Sequence, residues 1–131
     1  MNLNRRDFLI LSAATALATG CANQPIHMQA ASIDAGPESD YANDGVYDKF
    51  RTQGFFIIRR NGQLIALSSI CTHMGCKVKE QQDTSYHCPC HGSSYDPDGK
   101  VTHGPAIHDL PRLPTSVDAN GHLIVGAIAT V

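Results

Sequence analysis

Two short stretches of the chain concentrate the residue types that bind metals or form disulfides. The first reads Cys71-Thr72-His73-Met74-Gly75-Cys76 and the second Cys88-Pro89-Cys90-His91-Gly92-Ser93. Each offers a thiol and an imidazole at ligand-compatible spacing, Cys-x-His and then Cys-x-x-His, and each has a further Cys close by. Two matched loops in one short chain are far more specific than a lone Cys-x-x-Cys. Three chemistries use these residues. A pair of structural disulfides suits an exported domain but leaves the two His idle. A Cys₂His₂ zinc site uses two Cys and two His, yet zinc ligand pairs are usually two to four residues apart and Cys71-x-His73 is tighter. Zinc also leaves Cys76 and Cys90 without a role. The third is a two-iron, two-sulfide centre in which two imidazoles replace two thiolates on one iron.

Both loops resemble, throughout, the Rieske iron–sulfur pattern Cys-x-His-x-Gly-Cys followed by Cys-Pro-Cys-His-Gly-Ser. The resemblance covers roughly Gly54 to Gly126. It implies one [2Fe–2S] cluster per chain, with Cys71 and Cys88 on the inner iron and His73 and His91 on the outer iron. It further implies a disulfide between Cys76 and Cys90, tying the loops together. A closed loop of fifteen residues, 76 to 90 inclusive, contributes about 3 kcal/mol in the chain-entropy description. Ser93 and Tyr95 match positions whose hydroxyls bond a bridging sulfide and the inner Cys sulfur, here Cys71. The imidazole ligands matter through charge. Two ferric ions, two sulfides and two thiolates cancel, whereas four thiolates leave a dianion. An uncharged centre accepts an electron more readily, and such clusters span about −150 to +300 mV against about −400 mV for plant-type all-Cys clusters. Gly104-Pro105-Ala106 and Leu110-Pro111 resemble the proline-containing loop that covers the cluster. Where quinol-oxidising members commonly have a second Pro after the Ala, this chain has Ile107. Met74 would sit at the apolar tip. His27, His87, His103, His108 and His122 match no ligand position and read as surface or packing residues.

The elements that must position these loops read as β-rich. Phe55-Phe56-Ile57-Ile58-Arg59 and Leu64-Ile65-Ala66-Leu67-Ser68 are strand-length apolar runs joined by Arg60-Asn61-Gly62-Gln63. Asn-Gly accepts the positive φ values that a tight hairpin turn demands. Thr115–Asp118 and His122–Val125 flank Ala119-Asn120-Gly121 as a second hairpin, and Asp96-Pro97-Asp98-Gly99 is a further tight turn. Pro105, Pro111 and Pro114 keep residues 104–114 out of a central strand. The expected fold is all-β: a small antiparallel sandwich or barrel of the Rieske type, with a two-loop cluster-binding subdomain.

The 131 residues, 42% hydrophobic and 17% charged, amount to a single domain. A formal net charge of −2, without a basic stripe, excludes nucleic acid as partner. Residues 1–20 read as an export signal: Arg5-Arg6-Asp7-Phe8-Leu9 resembles a twin-arginine motif, and the apolar run Phe8–Ala18 is too short to span a bilayer. Cys21, after Ala18-Thr19-Gly20, resembles a lipidation site, and setting it aside leaves four of the five Cys. Residues 21–44 read as a flexible tether from their Ala, Ser, Asp, Asn, Gln and Pro content, and residues 45–131 as the domain itself. The resemblance implies an exported, membrane-tethered carrier of single electrons on the periplasmic side. It has no catalytic residue beyond electron and proton transfer. One setting is the iron–sulfur subunit of a quinol-oxidising cytochrome bc-type complex, with cytochrome b, a c-type cytochrome and quinol as partners. Another is the small subunit of a periplasmic molybdenum oxidoreductase, beside a molybdopterin subunit, or a stand-alone shuttle. A zinc-stabilised interaction module is the alternative of a different class.

Overall fold

The run Phe55-Phe56-Ile57-Ile58 is apolar at every position, whereas a strand with one wet face would alternate. The computed structural model, which describes residues 31–127, shows why. All four side chains are buried, because their strand lies between two other sheets. Phe55 and Ile57 join a core with Ala35, Tyr41, Phe50, Ala66, Leu123 and Val125. Phe56 and Ile58 face the other way, into a core with Leu67, Val78, Tyr86, Tyr95, Ala106 and Leu110. Cys71 and Cys88 belong to this second core. Burying a large apolar side chain is worth about 1.5–3 kcal/mol, so this one strand anchors both halves.

In chain order the strands are β1 Ile33–Pro37, β2 Gly45–Tyr47, β3 Phe55–Arg60, β4 Gln63–Ser68, β5 Lys79–Glu80, β6 Tyr86–His87, β7 Ser94–Tyr95, β8 Val101–His103, β9 Arg112–Leu113, β10 Thr115–Val117 and β11 His122–Val125. They form three antiparallel sheets, ordered β1-β11-β10, β2-β3-β4-β9 and β5-β6-β7-β8. The all-β expectation holds, and the only helical pieces among the described residues are 3₁₀ turns at Glu38–Tyr41 and Arg51–Gln53. The β3–β4 hairpin closes on Asn61 (φ 51°) and Gly62 (φ 78°), with Arg60 opposite Gln63. The β10–β11 hairpin closes through Gly121 N–H to Asp118 O, 3.0 Å. The proline-rich stretch supplies only β9, two residues at a sheet edge where missing N–H donors do no harm.

One boundary differs from expectation. Composition places residues 33–44 in the tether and the start of the domain at residue 45. Instead β1 pairs with β11, and Tyr41 is buried with its hydroxyl donating to the Ala35 carbonyl. A stretch of polar composition is held by two apolar anchors, Ala35 and Tyr41, plus backbone pairing, none of which composition reveals. Residues 1–20, Cys21 and the remainder of the expected tether up to residue 30 lie outside the described residues. No helix among the described residues is long and apolar enough to cross a membrane.

The seam between β1 and β11 carries an exposed ion pair, His122 Nδ1 to Asp34 Oδ2 at 2.9 Å. The hydrogen bond to Asp34 raises the His122 pKa, and the same bond lowers that of Asp34. The contribution of His122 is therefore full below its ordinary value of 6.5 and fades as pH rises through the raised value. That of Asp34 is full above its ordinary 3.8 and fades as pH falls through the lowered value. Urea titrations should show wild type losing stability relative to His122→Gln as pH climbs above about 6.5. The difference should shrink in high salt, since surface pairs are screened. Identical pH profiles for the two proteins would show that the pair does not couple to folding.

Candidate metal centre

Each Cys/His loop closes on itself by the same two hydrogen bonds. In the first, the Cys71 N–H donates to the Cys76 carbonyl (2.6 Å) and the Gly75 N–H donates to the Cys71 carbonyl (3.0 Å). In the second, the Cys88 N–H donates to the Ser93 carbonyl (2.8 Å) and the Gly92 N–H to the Cys88 carbonyl (3.0 Å). The fifth residue of each loop is in the left-handed region, Gly75 at φ 79° and Gly92 at φ 83°. Only glycine adopts that conformation without cost, which is why both motifs carry Gly there. The closed loops then present their leading Cys inward and their His outward.

The Cys71 and Cys88 thiols are free and buried at the floor of the site. His73 and His91 are exposed at its mouth, their rings 4.9 Å apart between centroids and nearly perpendicular. Half-buried Cys76 and exposed Cys90 form a disulfide that joins the two loops. The sulfurs of Cys76, Cys88 and Cys90 lie within 4.8 Å of one another. Two of these are spent in the disulfide, so that trio is not a set of three thiolates.

The hydrogen bonds around Cys71 favour negative charge on its sulfur. Burial alone disfavours the thiolate. The Tyr95 hydroxyl at 3.3 Å, the His73 backbone N–H and the neighbouring Cys88 and Ser93 side chains outweigh it, and the Cys71 pKa is lowered. Cys88 moves the other way, pushed up by burial and by Cys71 beside it. Tyr95 accepts the Thr72 N–H at 3.2 Å, so its own proton is available. A thiolate can only accept, and Tyr95 is the donor when Cys71 is ionised. Ser93 is fully buried and its oxygen accepts the Ala106 N–H at 3.0 Å. Its hydroxyl proton is likewise free for a sulfur.

Ala106 belongs to a third loop, residues 104–110, which the two Cys/His loops hold from both sides. Ser93 ties it to the second loop. Thr72 ties it to the first, its hydroxyl donating to the His108 carbonyl at 2.6 Å while lying 3.0 Å from the Tyr95 hydroxyl. Ala106 and Leu110 are buried, and Met74 (69% exposed) and Ile107 (80% exposed) stand out as apolar tips of the first and third loops. Below the first loop, the Arg51 guanidinium donates to the Val78 and Lys77 carbonyls (2.6 and 3.0 Å). The Ser69 hydroxyl donates to the Arg51 carbonyl at 2.8 Å.

The structure thus brings together all eight residues singled out in the two loops and just beyond them: Cys71, His73, Cys76, Cys88, Cys90, His91, Ser93 and Tyr95. Sequence reasoning missed Thr72 and Arg51. Thr72 sat unremarked inside the first motif. Arg51 precedes β3 with no local signal, and its partners lie 26 and 27 residues away.

A free, buried thiol pair with paired imidazoles at the surface fits a [2Fe–2S] cluster with one thiolate-bound and one imidazole-bound iron. Comparison with known proteins points the same way. The Rieske [2Fe-2S] domain profile matches residues 32–114. The chain is 35% identical over 95 residues to the cytochrome b6-f complex iron-sulfur subunit of Chlorobaculum tepidum, an alignment spanning 71% of this chain and 52% of that protein. It is 46% identical over 61 residues to the putative respiratory nitrate reductase subunit Rieske of Haloferax mediterranei, spanning 45% of this chain and 28% of the relative. The chain therefore spans about half the length, or less, of these curated relatives. Among solved structures, the cyanobacterial plasma membrane Rieske protein PetC3 from Synechocystis PCC 6803 superposes with a TM-score of 0.53 at 30% identity. That match covers 72% of this chain and 99% of the other.

Thr72→Val removes a hydroxyl that satisfies the His108 carbonyl and neighbours Tyr95. It should cost about 1–2 kcal/mol in chemical denaturation, with Thr72→Ser recovering most of the loss. Equal stability of the Val and Ser variants would show that the Thr72 hydroxyl does not hold the third loop.

Proposed function

The chain belongs to the Rieske [2Fe-2S] domain family, and from that membership we propose that it passes single electrons as the iron–sulfur subunit of a quinol-oxidising cytochrome bc-type complex. Cys71 and Cys88 would hold one iron and His73 and His91 the other. The observation that carries this reading is the pairing of the His73 and His91 rings at the exposed mouth, above two free buried thiols. The cluster supplies a one-electron carrier that is uncharged when oxidised. The chain's own residues set the conditions under which it works. Burial of the Cys71 and Cys88 sulfurs keeps water from the inner ligands. The Tyr95 and Ser93 hydroxyls donate toward sulfur and stabilise the extra negative charge of the reduced state. His73 and His91 are exposed, so each would keep a ring nitrogen not used as a ligand open to solvent, where its N–H could bond a quinol oxygen and hold or release a proton. Exposed Met74 and Ile107 provide an apolar rim for a partner surface.

A second setting is favoured by two observations. Ile107 replaces the second proline common in quinol-oxidising members, and a relative 46% identical over 61 residues is named as a nitrate reductase Rieske subunit. In that setting the same centre relays electrons to or from a molybdopterin subunit. In either setting the protein works on the periplasmic side, residues 1–20 serving export and Cys21 carrying a lipid anchor. This rests on Arg5-Arg6, the apolar run to Ala18 and the small residues before Cys21. Electron transfer is common to both.

Protein isolated from a host that assembles iron–sulfur centres should contain two irons and two labile sulfides per chain, absorb visible light, and give a rhombic EPR signal on reduction. A colourless, zinc-containing product would sink the proposal and restore the zinc module. Ubiquinol–cytochrome c activity of the native membrane complex, against electron exchange with a molybdopterin subunit, separates the two settings.

Tyr95→Phe should lower the midpoint potential by on the order of 50 mV, the one-electron equivalent of losing one net hydrogen bond to sulfur. The visible spectrum should stay in place. An unchanged potential would mean that the Tyr95 proton goes to Thr72 and not to Cys71.

A further inference from the structure

The β5–β8 sheet has two very different faces. Toward the core it presents Glu80, Tyr86, Tyr95 and Val101, all buried or half-buried. Outward, the cross-strand register lines up Lys79, His87, Ser94 and His103 in a single row. His87 and His103 are exposed and flank half-buried Ser94 on adjacent strands. The His87 ring already leans over the middle strand, its Nδ1 3.3 Å from the Ser94 Oγ. Neither imidazole takes part in the centre described above, and neither has a charged partner among the described residues.

We propose that this row is a second metal site, in which His87 and His103 grip one divalent transition-metal ion across Ser94. Neighbouring strands stand about 4.8 Å apart, so the backbones of His87 and His103 are separated by roughly 10 Å. Two imidazoles reaching inward from that separation close on one ion at bonds of about 2.0–2.1 Å. The Ser94 oxygen lies beneath, and water completes the shell. Paired imidazoles suit zinc, copper and nickel ions; calcium and magnesium prefer oxygen ligands. Lys79 is exposed and lies beyond His87 at the outer end of the row, not between the imidazoles, so its long side chain is free to carry its charge out into solvent.

The site's position gives it consequence. Along β6, His87 immediately precedes Cys88, whose side chain faces the opposite, buried side. Along β8, His103 immediately precedes Gly104 and Pro105 of the third loop. One ion therefore clamps the strand entering the second Cys/His loop to the strand leaving for the loop that covers it. It also adds positive charge on the outer side of the same sheet.

The test uses cluster-containing protein, so that His73 and His91 are not competing free ligands. Isothermal titration with zinc chloride in a non-chelating buffer should show one ion per chain. His87→Gln and His103→Gln should each weaken binding roughly tenfold or more. His122→Gln, which removes the histidine–carboxylate pair at the β1–β11 seam, should leave it unchanged. Copper(II) added to the oxidised protein should give an EPR spectrum with coupling to two nitrogens, and to one in either row variant. Absence of stoichiometric binding, binding indifferent to both row variants, or loss only in His122→Gln would each overturn the proposal. Cluster absorbance in the same samples shows that the variants are folded, and it reports separately on the functional reading above.

Discussion

Two sulfur atoms must leave water while two imidazoles a few residues away stay in it, and the closing hydrogen bonds of the Cys/His loops resolve that conflict. In each loop the N–H of the leading Cys finds a carbonyl five residues on, and a left-handed glycine turns the chain back. The backbone is satisfied locally, as a buried segment requires. The side chains are then free to divide by polarity, thiols into the core and rings to the surface. The same turn repeated twice yields a centre with a protected end and an exposed end.

That asymmetry gives the proposed centre a protected end for charge and an exposed end for contact. The buried end is surrounded by donors, with the Tyr95 and Ser93 hydroxyls aimed at sulfur and the Cys71 pKa lowered by the same bonds. Charge placed there is stabilised without water. The exposed end offers ring N–H groups to a partner. The disulfide between Cys76 and Cys90 spans the boundary. It fixes the loops to one another whatever partner approaches the mouth.

The sheets serve this arrangement by rigidity rather than by chemistry. Because β3 is buried on both faces, it couples the β1–β11–β10 sheet to the core that receives Cys71 and Cys88. Arg51 and Ser69 brace the first loop from below, while Thr72 and Ser93 hold the third loop across the top. The site is thus held by bonds between segments that are distant in sequence, each with at least one partner outside the two motifs.

The sequence by itself determined which Cys and His were candidate donors, the Asn61–Gly62 hairpin and the β class, because each depends on residues within about six positions of one another. Resemblance added the division of those residues into ligands and the pairing of Cys76 with Cys90, both of which spacing leaves open. Tertiary structure alone decided that residues 33–44 are folded, since Ala35 and Tyr41 meet their core only across the sheet. It decided the roles of Thr72 and Arg51, whose carbonyl partners lie 36, 27 and 26 residues away. It also decided that His87 and His103 share a face with Ser94 between them, which follows from strand register, bulge included, and not from their spacing along the chain. Local chemistry is written in the order of residues; which distant groups satisfy one another is settled only when the sheets pack.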